Sequence, residues 1–199
     1  MIQPQEKVKF RKGFKTWADN ITVDLRKQLG LYDTSPLSAF DLCKHLSIPI
    51  WQPSDVVGLP NEKLDELLNS GSEFWSAATI PLDNGGHIII HNPKHSPARQ
   101  QSNLMHELAH ILCEHKISED IQKSGLASFL RCHNDNQEHE AEWLGACLQL
   151  PRPALIWALK RNMTIEQISE SYYSSIEMTK FRVNITGAKK QISYSNRPN

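Results

Sequence analysis

The sequence has no long hydrophobic run. Nothing in it approaches the ~20 consecutive apolar residues that a membrane-spanning helix needs, and the basic opening MIQPQEKVKFRKGFK leads into no apolar segment. Neither a signal peptide nor a membrane span is expected, so the reading has no place for a membrane partner. Cysteine is sparse: Cys43, Cys113, Cys132 and Cys147 lie far apart, and no pair forms C-x-x-C. That spacing offers no disulfide framework, and the thiols read as reduced groups of a cytoplasmic protein. Net charge is absent as well, with 22 basic against 22 acidic side chains. No global field draws the chain towards nucleic acid or a membrane surface. Internal repeats are also missing, which excludes a solenoid or propeller.

What is present is enough for a core. At 199 residues and 39% hydrophobic content, the chain suits one sizeable domain, or one domain with a small appendage. Charge is unevenly spread: residues 1–151 carry 14 basic and 19 acidic side chains, whereas residues 152–199 carry 8 and 3. A basic tail follows an acidic body.

Residues 12–29 predict a helix with Trp17, Ile21, Leu25 and Gln28–Leu29 on one face and Gly30 as its stop. In SPLSAFDLCKHLSI, Ser35 can cap, Pro36 suits the first helical position, and Leu37, Phe40 and Leu46 form the apolar stripe. IPIWQP reads as short and extended, and Asn61 as the cap of a brief helix through Leu68. The period then changes. FWSAATI (74–80) and HIIIH (87–91) flank the turn signal PLDNGG, which predicts a β-hairpin. Ser96 and Pro97 open a long helix to about 114, and a second fits 136–150, stopped by Pro151 and Pro153. ALIWALKRN, a helix capped by Thr164 with Gln167, and SSIEMTKFRVNITG, closed by Gly187, complete the order. Helices, a hairpin, then helices define an α+β fold, mostly helical with a small antiparallel sheet. The expected organisation is an N-terminal helical extension (1–34), a core (35–151), C-terminal helices packed on it (152–190) and a flexible tail (191–199).

One short stretch carries chemistry. In HELAH, His106 and His110 stand one helical turn apart on the same face, so both imidazoles can reach one metal ion. Glu107 is about 100° further round, within reach of a water on that ion. Zinc suits such a set: it takes nitrogen and carboxylate ligands tetrahedrally and keeps one position for water, whose proton a glutamate can accept. Two histidines in ordinary buried or exposed positions would give the same five letters, so a third ligand is the discriminating feature. It is sought in NQEHEAEWLGACLQLP (136–151), whose apolar stripe is Ala141, Leu144, Gly145 and Leu148. Glu138 borders that stripe and Glu142 follows one turn on, while His139 and Glu140 fall away from it. If the stripe packs on the HELAH helix, Glu138 is best placed to reach the metal; a capping box with Asp135 is its competing role. A rival metal set, Cys113, His115, Cys132 and His133, lacks zinc-finger spacing.

Several segments in the same order resemble the ImmA/IrrE family of zinc metallopeptidases. They are FWSAATI, then GGHIIIHNPKHSPARQQSNLMHELAHILCEH, then EHEAEWLGACLQLP, with AFDLCKHLSIPI upstream; the likeness spans about residues 35–190. The resemblance implies a gluzincin-like site in which His106, His110 and Glu138 bind one Zn2+ per chain and Glu107 is the catalytic glutamate. Ala109 stands where many members have glycine, and Glu142 where many have asparagine. Asn92 and Arg99 also match, and Arg99 is a candidate either as partner for a carboxylate near the site or for substrate binding.

These readings converge on a cytoplasmic zinc endopeptidase. The resemblance implies limited cleavage of a helix-turn-helix transcriptional repressor, in the manner of an anti-repressor of a mobile element or a stress-response regulator. An edge strand can align an extended peptide, and HIIIH, with Ile88, Ile90 and His91, is the candidate. Oxyanion donors are sought among His91, His133, Tyr172 and Tyr173. Two alternatives stand beside this reading. Residues 164–187 read as two short helices around a turn, so the basic tail could contact DNA, although packing on the body is favoured. The other is an interaction protein of toxin–antitoxin type with a peptidase-like zinc site and no general proteolysis.

Overall fold

The computed structural model describes residues 9–115 and 135–195, with side chains through residue 192. Helix α1 (Phe14–Gln28) and helix α2 (Ala39–His45) precede a two-residue strand β1 (Ile50–Trp51), a single 3-10 turn (Pro53–Asp55) and helix α3 (Asn61–Leu68). The hairpin follows as β2 (Ala77–Pro81) and β3 (His87–His91), leading into helix α4 (Pro97–Leu112). Beyond the segment 116–134 lie α5 (Asp135–Gln149), α6 (Arg152–Lys160), α7 (Ile165–Ser171), α8 (Ile176–Ile185) and α9 (Ala188–Ser195). The α+β expectation holds, and the hairpin and the two long helices fall within a few residues of their predicted bounds. The caps of α4 and α7 are as read: Ser96 Oγ accepts from the Arg99 amide, and Thr164 and Gln167 form a reciprocal box. For α2 the cap is Ser38 rather than Ser35, its hydroxyl accepting from the Asp41 amide.

The sheet has three strands in the order β1-β3-β2, β1 running parallel and β2 antiparallel to β3. This corrects the expected edge. The strand bearing Ile88, Ile90 and His91 is the central one, because IPIWQP contributes Ile50 and Trp51 opposite Ile89 and Ile90. Among the described residues, β1 and β2 are the edge strands.

The main core joins α1, α2, β3, α4 and α5 through Phe14, Leu25, Leu42, Ile89, Leu108 and Leu148, with their neighbours. In α1 the buried face is Phe14, Ala18, Thr22, Leu25 and Arg26, whereas Trp17 is 36% exposed. The expected stripe is therefore shifted, since a fully buried arginine on the inner face defeats a hydrophobic count. A second cluster, built on Leu150, Leu155, Ile168, Tyr172 and Val183, holds α6–α9. Helix α9 continues past Gly187 into the stretch expected to be a tail.

The end of α5 is the junction of the two clusters. Pro151 stops the helix, and a helix end leaves carbonyls without intrahelical donors. Two buried arginines supply them. Arg26 of α1 donates through Nη2 to the Leu148 carbonyl at 2.8 Å, and through Nε and Nη1 to Ser35 and Thr22. Arg182 of α8 donates through Nε to the Leu150 carbonyl at 3.1 Å. Desolvation lowers the Arg26 pKa to about 10, which still leaves it charged at neutral pH. Replacing Arg26 with methionine retains an apolar stem and leaves those carbonyls without that donor. The expected loss is at least ~2 kcal/mol in urea denaturation, against less than ~0.5 kcal/mol for Lys27→Ala on the exposed face. Equal midpoints for the two variants would show that the α5 terminus does not depend on Arg26.

Candidate metal centre

Helix α4 presents His106 and His110 towards α5, and α5 approaches unusually closely there. The reason is Gly145. A Cβ on this residue would stand 3.1 Å from the Met105 carbonyl oxygen and 3.3 Å from the His106 backbone nitrogen and Cα. The bare backbone lets the helices meet beside the imidazoles, and Glu138, seven residues earlier on α5, reaches across to them.

The donor atoms converge. His106 Nε2 and His110 Nε2 are 3.0 Å apart, and Glu138 places Oε2 3.3 Å from the first and Oε1 3.6 Å from the second. Ligands held ~2.0–2.1 Å from a tetrahedral zinc stand about 3.3 Å from each other, which is the scale of this triangle. His106 lies at its open side, with 30% of its side chain exposed. Burial works to lower the His106 pKa, but the hydrogen bond its ring donates to Glu138 and the charges of Glu107, Glu138 and Glu142 outweigh it and raise it. The surroundings favour a cation between these groups, and the donor set fits a divalent metal. The Glu138 carboxylate faces the histidines.

Behind His110 runs a polar chain. His110 Nδ1 lies 2.9 Å from His115 Nδ1, and His115 Nε2 lies 3.2 Å from Glu140 Oε2. Glu140 in turn accepts from the Arg11 amide at 3.2 Å and pairs with its guanidinium. Burial works to raise the Glu140 pKa, but Arg11 and His115 together hold it below the usual carboxylate range. Burial also lowers the His115 pKa, against Glu140, which favours a neutral ring. An ionised carboxylate only accepts. His115 Nε2 therefore carries that ring's proton, its Nδ1 accepts, and His110 Nδ1–H donates. The His110 Nε2 lone pair is left facing the triangle. Metal-binding histidines are commonly oriented through their second nitrogen in this way.

Glu140 was expected to fall away from the packed face, yet it is 5% exposed. It is buried by Arg11, from a segment 129 residues distant, which no stripe within α5 can reveal. Cys113, His115 and Glu140 do cluster, but the Arg11 guanidinium already neutralises the carboxylate, and burial pushes the Cys113 thiol up to about 12. Cys132 and His133, the other half of the rival set, lie outside the described residues.

Glu107 faces the sheet. Thr79 Oγ1, on the β2 edge strand, donates to Glu107 Oε2 at 2.6 Å. Burial raises the Glu107 pKa, and His106 and the Thr79 hydroxyl pull against that rise. Thr79 was not anticipated; a threonine on the inward face of a strand preceding H-E-x-x-H is the signal that could have found it. Two clefts meet at His106. One, of about 340 Å³, follows Phe74–Ala77 to Glu107, and the other, of about 880 Å³, opens between α5 and α8.

The remaining candidates stand elsewhere. Tyr172 is in the second core, its hydroxyl donating to the Thr34 carbonyl at 2.6 Å, so it is spent structurally. Tyr173 is 57% exposed. His91 is buried edge-on against Phe40 and lines neither cleft. Asn92 braces the loop before α4 by donating to the Ser72 and Trp75 carbonyls. Arg99 is exposed and forms no ion pair among the described residues.

This helix pair, with facing histidines, a glutamate from the second helix and a half-buried glutamate beside them, defines a metallopeptidase-like centre. The family model described as Peptidase_M78, IrrE N-terminal-like domain, matches residues 62–184, and the chain belongs to that family. Among solved structures, the chain is similar to a Mycobacterium tuberculosis transcriptional regulator, with a TM-score of 0.51 and 12% identity. The likeness covers 88% of this chain and 48% of that one, so the chain spans about half its length. No curated protein matches.

If the Arg11–Glu140–His115 chain orients His110, Glu140→Gln lowers metal affinity ~10–100-fold, measured by zinc competition against a chromophoric chelator. Unchanged affinity would mean that His110 is oriented without it.

Proposed function

We propose that the protein is a zinc-dependent endopeptidase that makes limited cleavages in a transcriptional repressor of helix-turn-helix type. The observation that carries the chemistry is the pairing of the His106–His110–Glu138 triangle with an adjacent glutamate, Glu107, whose pKa is raised by burial. When bound, zinc supplies Lewis acidity that polarises a carbonyl and acidifies a water molecule. His106, His110 and Glu138 hold the ion. Glu107 takes the proton from the attacking water at a carboxylate oxygen and passes it to the leaving amine. Its raised pKa brings proton uptake nearer neutral pH, as a general base requires. Thr79 keeps one oxygen of Glu107 fixed and leaves the other to exchange the proton.

The same strand suggests how a peptide is aligned. β2 has its open edge beside Glu107, and backbone pairing along an edge is sequence-tolerant, with selectivity left to side-chain subsites. Family membership supports the peptidase class, and the fold shared with a transcriptional regulator agrees with a regulatory setting. No helix among the described residues is long and apolar enough to cross a membrane.

The decisive comparison is Glu107→Gln against the unaltered chain, both loaded with zinc and incubated with a proteome-derived peptide library. New peptide amino termini, read by mass spectrometry, should appear only with the unaltered chain, while both proteins bind about one equivalent of metal. The same new termini from the variant would remove Glu107 from the mechanism. None from either would leave a zinc-binding interaction module.

A further inference from the structure

Helix α8 carries apolar side chains beyond its buried face. Thr179, Arg182 and Val183 are buried, and Val183, with Met178 at its margin, packs into the second core, as expected for a helix packed on a body. On another face, Met178, Phe181 and Ile185 follow one another at helical spacing, and Phe181 and Ile185 are 47% and 40% exposed. A side of a helix left to solvent is normally polar, and an apolar stripe there marks a contact surface. This stripe forms one wall of the larger cleft. Trp143 of α5 forms the other, and His106, a member of the donor triangle, lies at the floor.

Two features identify the occupant. The cleft is continuous with the peptide path: Asn103 and His106 line both it and the smaller cleft that follows Phe74–Ala77, at the start of β2, to Glu107. A chain paired on β2 and crossing His106 therefore enters the space between α5 and α8. The cleft also carries a carboxylate on each of these walls, Glu142 lying 3.5 Å from His139, which lines the cleft too. Glu142 and Glu177 line it from α5 and α8, and the α8 N-terminus and Ser175 hold Glu177 below the usual carboxylate range. Among the described lining residues, the one lysine, Lys15, is stacked over the Trp143 ring at 4.0 Å.

We infer that the α5–α8 cleft is the specificity subsite of this protein: it receives a large apolar side chain of the substrate peptide, within a few residues of the scissile bond on the side away from β2. A neighbouring lysine or arginine of the peptide meets Glu142 and Glu177. This rests on the peptidase reading above, and it assigns α8 to a protein ligand instead of to DNA.

The test separates the two readings by measuring binding on the inactive chain. Zinc-loaded Glu107→Gln protein is immobilised and used to select from a random peptide library displayed on phage. Enriched peptides should share a large apolar residue close to a basic one. A fluorescein-labelled consensus peptide should bind about tenfold or more weakly when Phe181→Ser and Ile185→Ser are introduced together, and Glu177→Gln should remove the basic preference while retaining the apolar one. Both substitution sites are partly exposed, so circular dichroism and zinc content should not change. Enrichment without an apolar residue, or equal affinity in the serine variant, overturns the inference even if the unaltered chain cleaves peptides. Two further outcomes also overturn it: a duplex-DNA gel shift abolished by the same substitutions, or a dimer in sedimentation that they dissociate. Selective binding without any cleavage by the unaltered chain would uphold the cleft and sink the peptidase reading.

Discussion

Helix α5 lies against α4 because residue 145 has no side chain. A glycine inside a helix costs ~1 kcal/mol in propensity, and here the cost is offset by a contact that a methyl group would obstruct, with backbone atoms of Met105 and His106 at 3.1–3.3 Å. Two turns earlier on the same helix is Glu138. An α-helix rises 1.5 Å per residue, so Glu138 sits about 10 Å along the axis from the contact, and a tilt of α5 about Gly145 displaces its carboxylate relative to the imidazoles. The other end of α5 is held where Arg26 and Arg182 take the carbonyls of Leu148 and Leu150. One helix is thus located in its middle by the absence of a side chain and at its end by two buried cations. The geometry of the donor triangle depends on both.

The carboxylates around α4 show how one residue type is given different work by its surroundings. Glu138 is half-exposed and faces two imidazoles. Glu107 is desolvated against the sheet, so its proton affinity rises. Glu140 is buried, yet it falls below the normal range, because Arg11 and His115 more than repay its desolvation. Desolvation sets the direction for Glu107, and the fixed cation with its hydrogen bonds sets it for Glu140. A carboxylate with a permanent guanidinium partner stays ionised and serves to orient. A carboxylate without one is able to pick up a proton.

The parts legible in the sequence were those set by local periodicity. His106 and His110 at i, i+4, the stripe from Ala141 to Leu148 and the hairpin around PLDNGG each follow from the geometry of a single element. Glu138 followed from one added assumption, that two stripes pack together. The misreadings share a different cause. The burial of Glu140 is imposed by Arg11, which is remote in sequence, and Thr79 reaches Glu107 across the gap between sheet and helix. β3 became central because two residues of IPIWQP pair with it, too short a segment for any alternation to register. On α1 the inner face includes Arg26, whose role is to donate hydrogen bonds to carbonyls of other segments. Polar groups that satisfy distant backbone atoms are invisible to a hydrophobic pattern.

Helices α7 and α8 have the outline of a helix-turn-helix, two short helices around a tight turn with a capping box at the start. Outline alone does not choose a ligand. A helix that reads a major groove presents arginine, lysine, asparagine or glutamine to base edges and carries cations towards phosphates. On α8, Arg182 is turned inward to the Leu150 carbonyl, and the face beside the candidate metal centre offers Met178, Phe181 and Ile185 with Glu177 above them. Apolar side chains there give a nucleic acid nothing to pair with, and the carboxylate repels its backbone. Phosphate repulsion and peptide attraction come from the same charges, so the features that disfavour DNA on this face favour an apolar and basic segment of protein. Arg182 links this choice to the fold, because the inward turn that withdraws a cation from the surface is also what anchors α8 to the end of α5.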